Sequence, residues 1–375
     1  MKITGVKQYY YDRYHFIKLE TDEGIWGFGE ATLRVKQPAI AVCIDMLTER
    51  LIGQDVFCQE WFFNKYFGFD RWRGGVLINT AITVLEMAIL DIFGKKYGVP
   101  VYTLLGGKVR DEVPIYASGW NSGVDMNDDA AVKQRVKDLK AWGFNSIKSD
   151  PMPWAPFDSP YRNYPDKKVV DKGIENVFKW REYVGDDVDI CVDLHGRLDY
   201  DLALRFMHGV EGANLFFVEE PLNTDDEPGY IKLKQNTNVP LAAGERWFTR
   251  YGHRMWNDDC LFRVAQPDFD HCAGLFEAKK LSENYGLHGT LIAPHNSNNF
   301  VATMAALHVD ATLPNLYKQE FMVSMLYDEN KVSRIPIKVE NGCISFKDAL
   351  PGLGLDPDFE LLEQQKEPLS NRQDW

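Results

Sequence analysis

The chain has 375 residues, 45% of them hydrophobic and 26% charged, and carries a formal net charge of −13 at pH 7. This length predicts a large buried core divided between two structural units, and the composition is that of an ordinary soluble globular protein. The negative charge argues against nucleic acid or an anionic membrane as a partner, and it admits an anionic substrate only where local cations offset the field.

The N-terminal sequence, MKITGVKQYYY, predicts a β-strand and lacks the features of a signal peptide. No apolar run is expected to approach membrane-spanning length. The six cysteines, at positions 43, 58, 191, 260, 272 and 343, form no CxxC pair and show no metal-type spacing. Reduced thiols in a cytoplasmic protein, without a membrane partner, are the simplest interpretation.

The front of the chain predicts antiparallel strands followed by helices. Alternating residues in ITGVKQYYY, HFIKLE and IWGFGEA indicate strands, joined by the short Tyr11–Tyr14 connection and the turn TDEG. From Ala39 to about Tyr97, apolar residues at three and four spacing predict helices. Between the helices, FGFDRWRGG (67–75) is either a packed loop or a segment whose Arg71 and Arg73 reach an anionic ligand.

Beyond residue 112 the pattern changes to alternating strands and helices. Eight strands, seven of them in alternation with helices over roughly 200 residues, favour a closed barrel over an open sheet. The strands are predicted near residues 113–118, 145–150, 188–193, 214–219, 239–244, 261–266, 289–294 and 316–321, and the helices near 128–142, 166–184, 200–209, 227–236, 249–257, 273–286 and 299–309. The tail, with a late strand pair around KVENGCISF, is expected to pack on the N-terminal unit.

Three apolar runs each end on an acid: DICVD at Asp193, LFFVEE at Glu219 or Glu220, and PLAAGE at Glu245. Counted through Glu219, successive acids are 26 residues apart, close to one strand–helix unit. Their carboxylates are expected to converge at the C-terminal strand ends, unless they are unrelated surface acids. Converging carboxylates repel unless a cation lies between them, and oxygen-only ligation indicates Mg²⁺, less well Mn²⁺ or Ca²⁺. Only one of Glu219 and Glu220 can point inward.

Candidate acid–base groups lie on the same strand ends. His195 faces the same way as Asp193, because alternate residues of a strand share a face, and Lys148 and Asp150 form the same pair one strand earlier. Further along, VAQPD ends a strand at Asp268 and LIAPHNSNN ends the next at His295.

An aspartate on a neighbouring strand can bind one imidazole nitrogen and leave the other basic. His295 is therefore a candidate general base with Asp268 as its orienting partner, against the alternative of a capping or core histidine. Glu320, in YKQEF on the last strand, either contacts a substrate carboxylate when protonated or bridged, or is a plain acid at the barrel mouth.

This combination suits removal of a proton from the carbon next to a carboxylate. The developing dianion needs a metal for the carboxylate oxygens, a base on one face and an acid near the leaving group. His295 can supply the base and His195 the acid for a departing 3-hydroxyl, and Lys148 can counter the remaining negative charge. Loss of water from a 2,3-dihydroxy acid would give a 2-keto-3-deoxy acid.

These residues resemble the enolase superfamily, and within it the mandelate racemase-like subgroup of sugar-acid dehydratases. MKIT with LETDEGIWGFGEA is similar to the opening of the family's capping domain, and GKKYGVPVYTLLGGKVRDEVPIYA to its junction with the barrel. VDLHGR, FFVEEPL, AAGER, AQPDFDHCAG and APHNS follow in the family's order. The resemblance implies an α/β fold: a modified TIM barrel, (β/α)₇β, at residues 113–325, and an α+β capping domain at residues 1–112, completed by residues 326–375.

The resemblance also implies roles for individual residues. It assigns Mg²⁺ to Asp193, Glu219 and Glu245, which decides between Glu219 and Glu220. It assigns the base dyad to Asp268 and His295 and the strand-eight glutamate to Glu320.

One motif departs from the racemase pattern. Racemases and epimerases of this group carry KxK on the second strand, with the second Lys as a base, whereas this chain has Lys148-Ser149-Asp150. That difference weakens a two-base racemisation. His195 resembles the galactonate and gluconate dehydratase type, and KSDPM, VYASGW and NLYKQEF favour gluconate or arabinonate dehydratases.

We therefore expect a Mg²⁺-dependent dehydratase of a linear aldonic acid. A cycloisomerase or epimerase at the same site is the nearest alternative, and a catalytically silent binding or structural protein is an alternative of another class, because fold alone does not give function. A homo-oligomer, dimer or octamer, is also expected. The candidate substrate contacts are Asp150, Tyr14, Arg71, Trp72 and Arg73.

Overall fold

The computed structural model describes residues 1–56, 59–68, 70–155, 159, 164–327 and 332–367. Cys58 and two parts of the tail predicted to return to the cap, 328–331 and 368–375, lie outside the described residues. The described chain forms an antiparallel sheet with helices, a parallel barrel and a tail that touches both, which confirms the predicted α/β fold with a capping domain.

The cap begins with the predicted three-stranded sheet. Its strands run antiparallel in the order β1-β2-β3, and Tyr11 pairs with Tyr14 across the two-residue connection between the first two. Asp12 takes the left-handed conformation there (φ 53°), as a tight hairpin requires. The strands are β1 (Ile3–Tyr11), β2 (Tyr14–Thr21) and β3 (Trp26–Glu30), and the cap helices are α1 (Gln37–Leu51), α2 (Gln59–Phe63), α3 (Val76–Tyr97) and α4 (Val101–Leu104).

Helix α3 is the core of the cap and packs on the sheet through two glycines of β3. A Cβ at Gly27 would lie 1.8 Å from the carbonyl oxygen of Ala88, and one at Gly29 would lie 2.7 Å from that of Val84. Only glycine therefore permits this approach. By length and composition α3 could cross a membrane, so the expectation that no run approaches that length was wrong, but 78% of its apolar window is buried inside the protein.

The barrel strands are parallel and follow the chain in order around the ring. Each of the first six barrel strands is hydrogen-bonded to the next one along the chain, and the eighth strand pairs with the first. The barrel is closed between the last two strands. The backbone N–H of Ile292 donates to the carbonyl of Asn315, and the backbone N–H of Tyr317 donates to the carbonyl of Ile292. The strands are β4 (Glu112–Ser118), β5 (Ser146–Ser149), β6 (Asp189–Asp193), β7 (Phe217–Glu219), β8 (Leu241–Ala243), β9 (Val264–Ala265), β10 (Leu291–Ile292) and β11 (Gln319–Met322).

Seven helices connect these strands, and side-chain caps start most of them. Asp128, Asp166, Asp199 and Asp226 each accept hydrogen bonds from backbone N–H groups in the first turn of a helix, which satisfies donors that the helix itself leaves unpaired. The helices are α5 (Asp129–Ala141), α6 (Lys167–Val184), α7 (Tyr200–Val210), α8 (Glu227–Gln235), α9 (Thr249–Asp258), α10 (Leu275–Gly286) and α11 (Phe300–Asp310).

The described part of the tail contacts both units. Its elements are α12 (Ser324–Tyr327), β12 (Cys343–Ser345) and α13 (Phe359–Leu362). Strand β12 pairs antiparallel with the start of β4, whereas Phe359 packs edge-on against Trp26 and Phe28 of the cap. Between them, the backbone N–H of Leu353 donates to the buried carboxylate of Asp91 on α3.

Candidate active site

The carboxyl ends of the eight barrel strands bring the predicted acids together. Asp193 and Glu219 are direct partners in the register of β6 and β7, and Glu245 follows the end of β8, the next strand in the ring. All three lie where the strands open toward the cap side of an α/β barrel, the position at which such barrels place their sites.

Lys148 lies at the centre of this acidic group. Its Nζ is 2.6 Å from Glu219 Oε2, 2.9 Å from Glu320 Oε1 and 3.9 Å from Asp193 Oδ2, and the side chain is 3% exposed. Burial opposes the charged amine, but the negative charges of Glu219 and Glu320 outweigh it and raise the pKa of Lys148 well above its ordinary value. Lys148 is therefore a fixed cation at the floor of the mouth.

Glu219 retains one free oxygen in this buried setting. Its Oε2 accepts from Lys148 and from Gln266 Nε2 at 2.7 Å, whereas its Oε1 is buried and has no hydrogen-bond partner among the described residues. Burial and then the negative charge of Asp193 raise the pKa of Glu219 to about 8. A buried carboxylate oxygen without a donor indicates a place for a cation.

The donor set fits Mg²⁺, because the three strand-end acids offer only oxygen ligands. In the structure two imidazoles contact these carboxylates: His195 Nε2 is 3.3 Å from Asp193 Oδ2, and His295 Nε2 is 3.1 Å from Glu245 Oε2. Over the described ranges no three His, Cys, Asp or Glu side chains form a preformed metal cage. Asp193, Glu219 and Glu245 are the residues that would hold the ion.

Asp268 and His295 form the predicted dyad. Asp268 Oδ2 lies 2.8 Å from His295 Nδ1, and the two residues also form a parallel bridge between the ends of β9 and β10. Because an ionised carboxylate only accepts, Nδ1 donates and Nε2 faces the acidic group. Burial opposes the imidazolium, but Glu245 and Asp268 raise the pKa of His295 well above its ordinary value.

Glu320 is held from two sides by the walls of the mouth. Its Oε1 accepts from Ser118 Oγ at the end of β4, and its Oε2 accepts from the backbone N–H of Asn296 at 2.9 Å. Burial raises the pKa of this acid, but Lys148 and His295 lower it further, so Glu320 is ionised beside Lys148.

His195 lies on the opposite side of the mouth from His295. It follows β6, whereas His295 follows β10, and these strands are four positions apart in the ring of eight. His195 Nδ1 is 3.1 Å from Asp150 Oδ2, and the residue takes the left-handed conformation (φ 54°). Burial opposes its charged form, but Asp193 and Asp150 together raise the pKa of His195 to about 9.

The two adjacent glutamates take different partners. Glu219 contacts Lys148 in the mouth, whereas Glu220 Oε2 lies 3.0 Å from Arg246 Nη2. The same guanidinium donates to the backbone carbonyl of His195 at 3.2 Å. This placement fits the assignment of the metal to Glu219 and gives Glu220 a place in the wall.

Comparison with known proteins supplies the family. Residues 131–361 match the family model described as enolase C-terminal domain-like, and residues 3–106 match the mandelate racemase / muconate lactonizing enzyme N-terminal domain. The chain belongs to the enolase superfamily. The resemblance to the mandelate racemase-like subgroup, predicted from the sequence, is confirmed.

Relatives of this superfamily member match over at least 95% of their own length. The chain is 31% identical to the D-galactonate dehydratase of Xanthomonas euvesicatoria pv. vesicatoria (strain 85-10), covering 100% of this chain and 96% of that protein. The D-galactonate dehydratase of Ralstonia pickettii (strain 12J) is also 31% identical, with 98% and 95% covered. These relatives place the chain among enzymes of the hydro-lyase class, as expected.

Solved structures of the superfamily share the fold. A member of the enolase superfamily from Salmonella Typhimurium superposes with a TM-score of 0.89 at 28% identity, covering 97% of this chain and 98% of that one. A candidate L-alanine-DL-glutamate epimerase from Burkholderia xenovorans strain LB400 gives 0.90 at 27% identity, with 99% and 100% covered.

Four of the expected substrate contacts lie elsewhere in the enolase-type cap. Tyr14 begins β2 and its hydroxyl accepts from Arg13, and Arg73 lies over the rings of Phe67 and Tyr251. Arg71 is exposed and Trp72 is 89% exposed. Among the described residues, the hydrogen bonds and ion pairs of these four do not reach the acidic group, so their contact with substrate stays a prediction.

Several residues in the mouth escaped the sequence analysis. Gln266 precedes Asp268 by two positions, so alternation along the strand could have indicated that they share a face. Ser118, at the end of β4, could have been found by the same strand-end argument. Arg197 and Arg246 lie in loops that follow the acids, where periodicity gives no direction for a side chain.

Proposed function

We propose that the protein is a Mg²⁺-dependent dehydratase of a linear aldonic acid, such as D-gluconate, D-galactonate or D-arabinonate. The observation that carries the proposal is the pair of imidazoles on opposite sides of one carboxylate group, each bonded through Nδ1 to an aspartate. This arrangement supplies one base and one acid, which is what removal of a C2 proton and a 3-hydroxyl requires. The similarity to D-galactonate dehydratases supports the same class of substrate.

His295 takes the proton from C2 in its neutral form, which positive charge held among Asp193, Glu219 and Glu245 would favour over the imidazolium. Its Nδ1–H is committed to Asp268, so Nε2 is the atom that meets the substrate. When held by Asp193, Glu219 and Glu245, Mg²⁺ would supply positive charge to the substrate carboxylate and offset the field of the acids. Lys148, 2.6 Å from Glu219, adds a second positive charge on the floor of the site.

His195 completes the elimination. Its Nε2–H passes a proton to the 3-hydroxyl as the C3–O bond breaks, and the hydroxyl leaves as water. The electrons of the C2–H bond form the C2–C3 double bond, giving an enol. Uptake of a proton at C3 converts the enol to the 2-keto-3-deoxy acid, so the reaction loses one water and needs no redox partner.

The test is a panel of aldonic and aldaric acids incubated with Mg²⁺ in D₂O, with 2-keto-3-deoxy acid and deuterium at C2 measured together. We expect keto acid from at least one aldonate. Deuterium at C2 without keto acid would contradict dehydration and favour the epimerase or cycloisomerase alternative, to which the epimerase-like fold neighbour also points. Stabilisation by Mg²⁺ without turnover or exchange on any acid would favour a silent binding protein.

A further inference from the structure

The carboxylate of Asp150 has three hydrogen-bond partners within the protein. Its Oδ2 lies 3.1 Å from His195 Nδ1 and also accepts from Arg197 Nη2. Its Oδ1 accepts from the backbone N–H of Met152 at 2.8 Å. The side chain of Asp150 is only 10% exposed, so it belongs to the wall of the mouth and not to its opening.

Arg197 and Trp154 hold this carboxylate in place. The guanidinium carbon of Arg197 lies 3.7 Å from the centre of the Trp154 ring, which is the geometry of a cation–π contact. The same indole lies edge-on to the imidazole of His195, with ring centres 5.4 Å apart. His195 therefore contacts an acid through one ring nitrogen and an aromatic side chain through its ring.

We propose that Asp150 is the positioning residue for His195, with Arg197 as the group that holds Asp150. This inference rests on the proposed function, because it concerns how that site orients its acid. An ionised carboxylate only accepts hydrogen bonds, so the Asp150 contact keeps a hydrogen on Nδ1 of His195 and turns Nε2 toward the mouth. If the His195 ring were flipped by about 180°, Nδ1 and not Nε2 would face the leaving group.

The topology of the barrel supports this role. Asp150 follows β5 and His195 follows β6, as Asp268 follows β9 and His295 follows β10. Each pair thus joins an acid at one strand end to a histidine at the next, and the two pairs are diametrically opposed. Asp150 was predicted from the sequence as a substrate contact; in the structure it has the same relation to His195 that Asp268 has to His295.

The first experiment compares Asp150→Asn with Asp171→Asn in the full chain with Mg²⁺. Asp171 is a matched control, because its exposed carboxylate accepts a 2.6 Å hydrogen bond from Arg205 between helices α6 and α7. We expect Asp150→Asn to lower kcat for dehydration by about 100-fold, the size of a lost acid–base contribution, with KM changed less than about threefold. Deuterium exchange at C2 should stay within about threefold of wild type, because His295 performs it.

An equal loss of exchange and dehydration in Asp150→Asn would overturn the proposal, since it would mean general damage to the site. Wild-type dehydration in that variant would overturn it as well. Arg197→Gln, which leaves the His195 side chain and Asp150 unchanged, should give the same split with a smaller loss of dehydration. If Arg197→Gln lowered deuterium exchange at C2 more than dehydration, the role of Arg197 as the support of Asp150 would be contradicted.

A substrate-free measurement separates this proposal from the proposed function. In protein labelled with ¹⁵N-histidine, the His195 signals are assigned by their disappearance in His195→Asn. We expect a protonated Nδ1 in wild type and in Asp171→Asn, and loss of that protonated Nδ1 state in Asp150→Asn. An unchanged His195 spectrum in Asp150→Asn would overturn the dyad, whereas absence of turnover on every aldonate would overturn only the proposed function.

Discussion

Glu30 at the end of cap strand β3 accepts a 2.9 Å hydrogen bond from the backbone N–H of Asn299, at the start of barrel helix α11. The same oxygen, Oε1, accepts from the hydroxyl of Thr32 at 2.6 Å, and Oε2 accepts from the backbone N–H of Ala302 at 3.0 Å. A cap residue thus satisfies the first turn of the barrel helix that follows the His295 loop. The position of the cap and the geometry of that loop are therefore linked through one buried carboxyl.

This link should make stability depend on pH. Burial raises the pKa of Glu30 to about 7 despite the opposing hydrogen bonds. The folded carboxyl then keeps a proton that the unfolded chain loses near pH 4.5, so the free energy of unfolding falls as pH rises from about 4.5 to 7. A shift of this size corresponds to about 3 kcal/mol.

Glu30→Gln should flatten that fall, as measured by urea denaturation between pH 5 and pH 8. Glu86, whose burial also raises its pKa to about 7, keeps part of the slope in the variant, so the comparison is between wild type and variant at each pH. Glu49→Gln, on the exposed face of α1, is the control. An identical slope in wild type and Glu30→Gln would show that Glu30 is not the titrating group.

His295→Asn should remove C2 proton exchange, by at least about 100-fold, because Nε2 of His295 is the proposed base. Binding of Mg²⁺ should persist, since Asp193, Glu219 and Glu245 are unchanged. Exchange is measured by NMR in D₂O and binding by the thermal shift with Mg²⁺. His208→Asn, on an exposed face of α7, serves as the control. Normal exchange in His295→Asn would mean that another group is the base.

His195→Asn should separate the two halves of the reaction. Loss of the acid blocks departure of the 3-hydroxyl, whereas His295 still removes and returns the C2 proton. We expect release of keto acid to fall by about 100-fold or more while deuterium enters C2 of the recovered substrate. Full dehydratase activity in this variant would exclude the acid role of His195.

The sequence could predict the barrel because its strands are short apolar runs buried on both faces, and they alternate with segments of helical periodicity. The same strand pattern predicted that Asp193 and Glu245 lie in the site, because the carboxyl ends of parallel strands meet at one edge of the barrel. Asp150 was predicted at the correct strand end, but its contact with Arg197 could not be predicted, because Arg197 lies in a loop where periodicity gives no side-chain direction. Strand β12 pairs with β4, a contact between residues more than 200 apart that no local pattern carries.

Removal of Mg²⁺ tests the metal site without any assay of turnover. Ligand that binds only the folded state stabilises it by mass action, about 2.7 kcal/mol at 100 times its dissociation constant. We therefore expect the Tm of EDTA-treated protein to rise on addition of Mg²⁺. Glu219→Gln should abolish the rise, because it removes the charge of the acid whose free oxygen lies in the site.

Glu220→Gln is the matched control for this measurement, because it alters the adjacent residue of the same strand end. Its partner is the half-exposed Arg246 at 3.0 Å, so the variant should lower the starting Tm through loss of the charge partner of a buried carboxylate. The increment produced by Mg²⁺ should nevertheless equal that of wild type. If the Mg²⁺-dependent rise in Tm were lost in Glu220→Gln and kept in Glu219→Gln, Glu220 and not Glu219 would be the metal ligand. A wild-type Tm that does not respond to Mg²⁺ would remove the metal from the proposed mechanism.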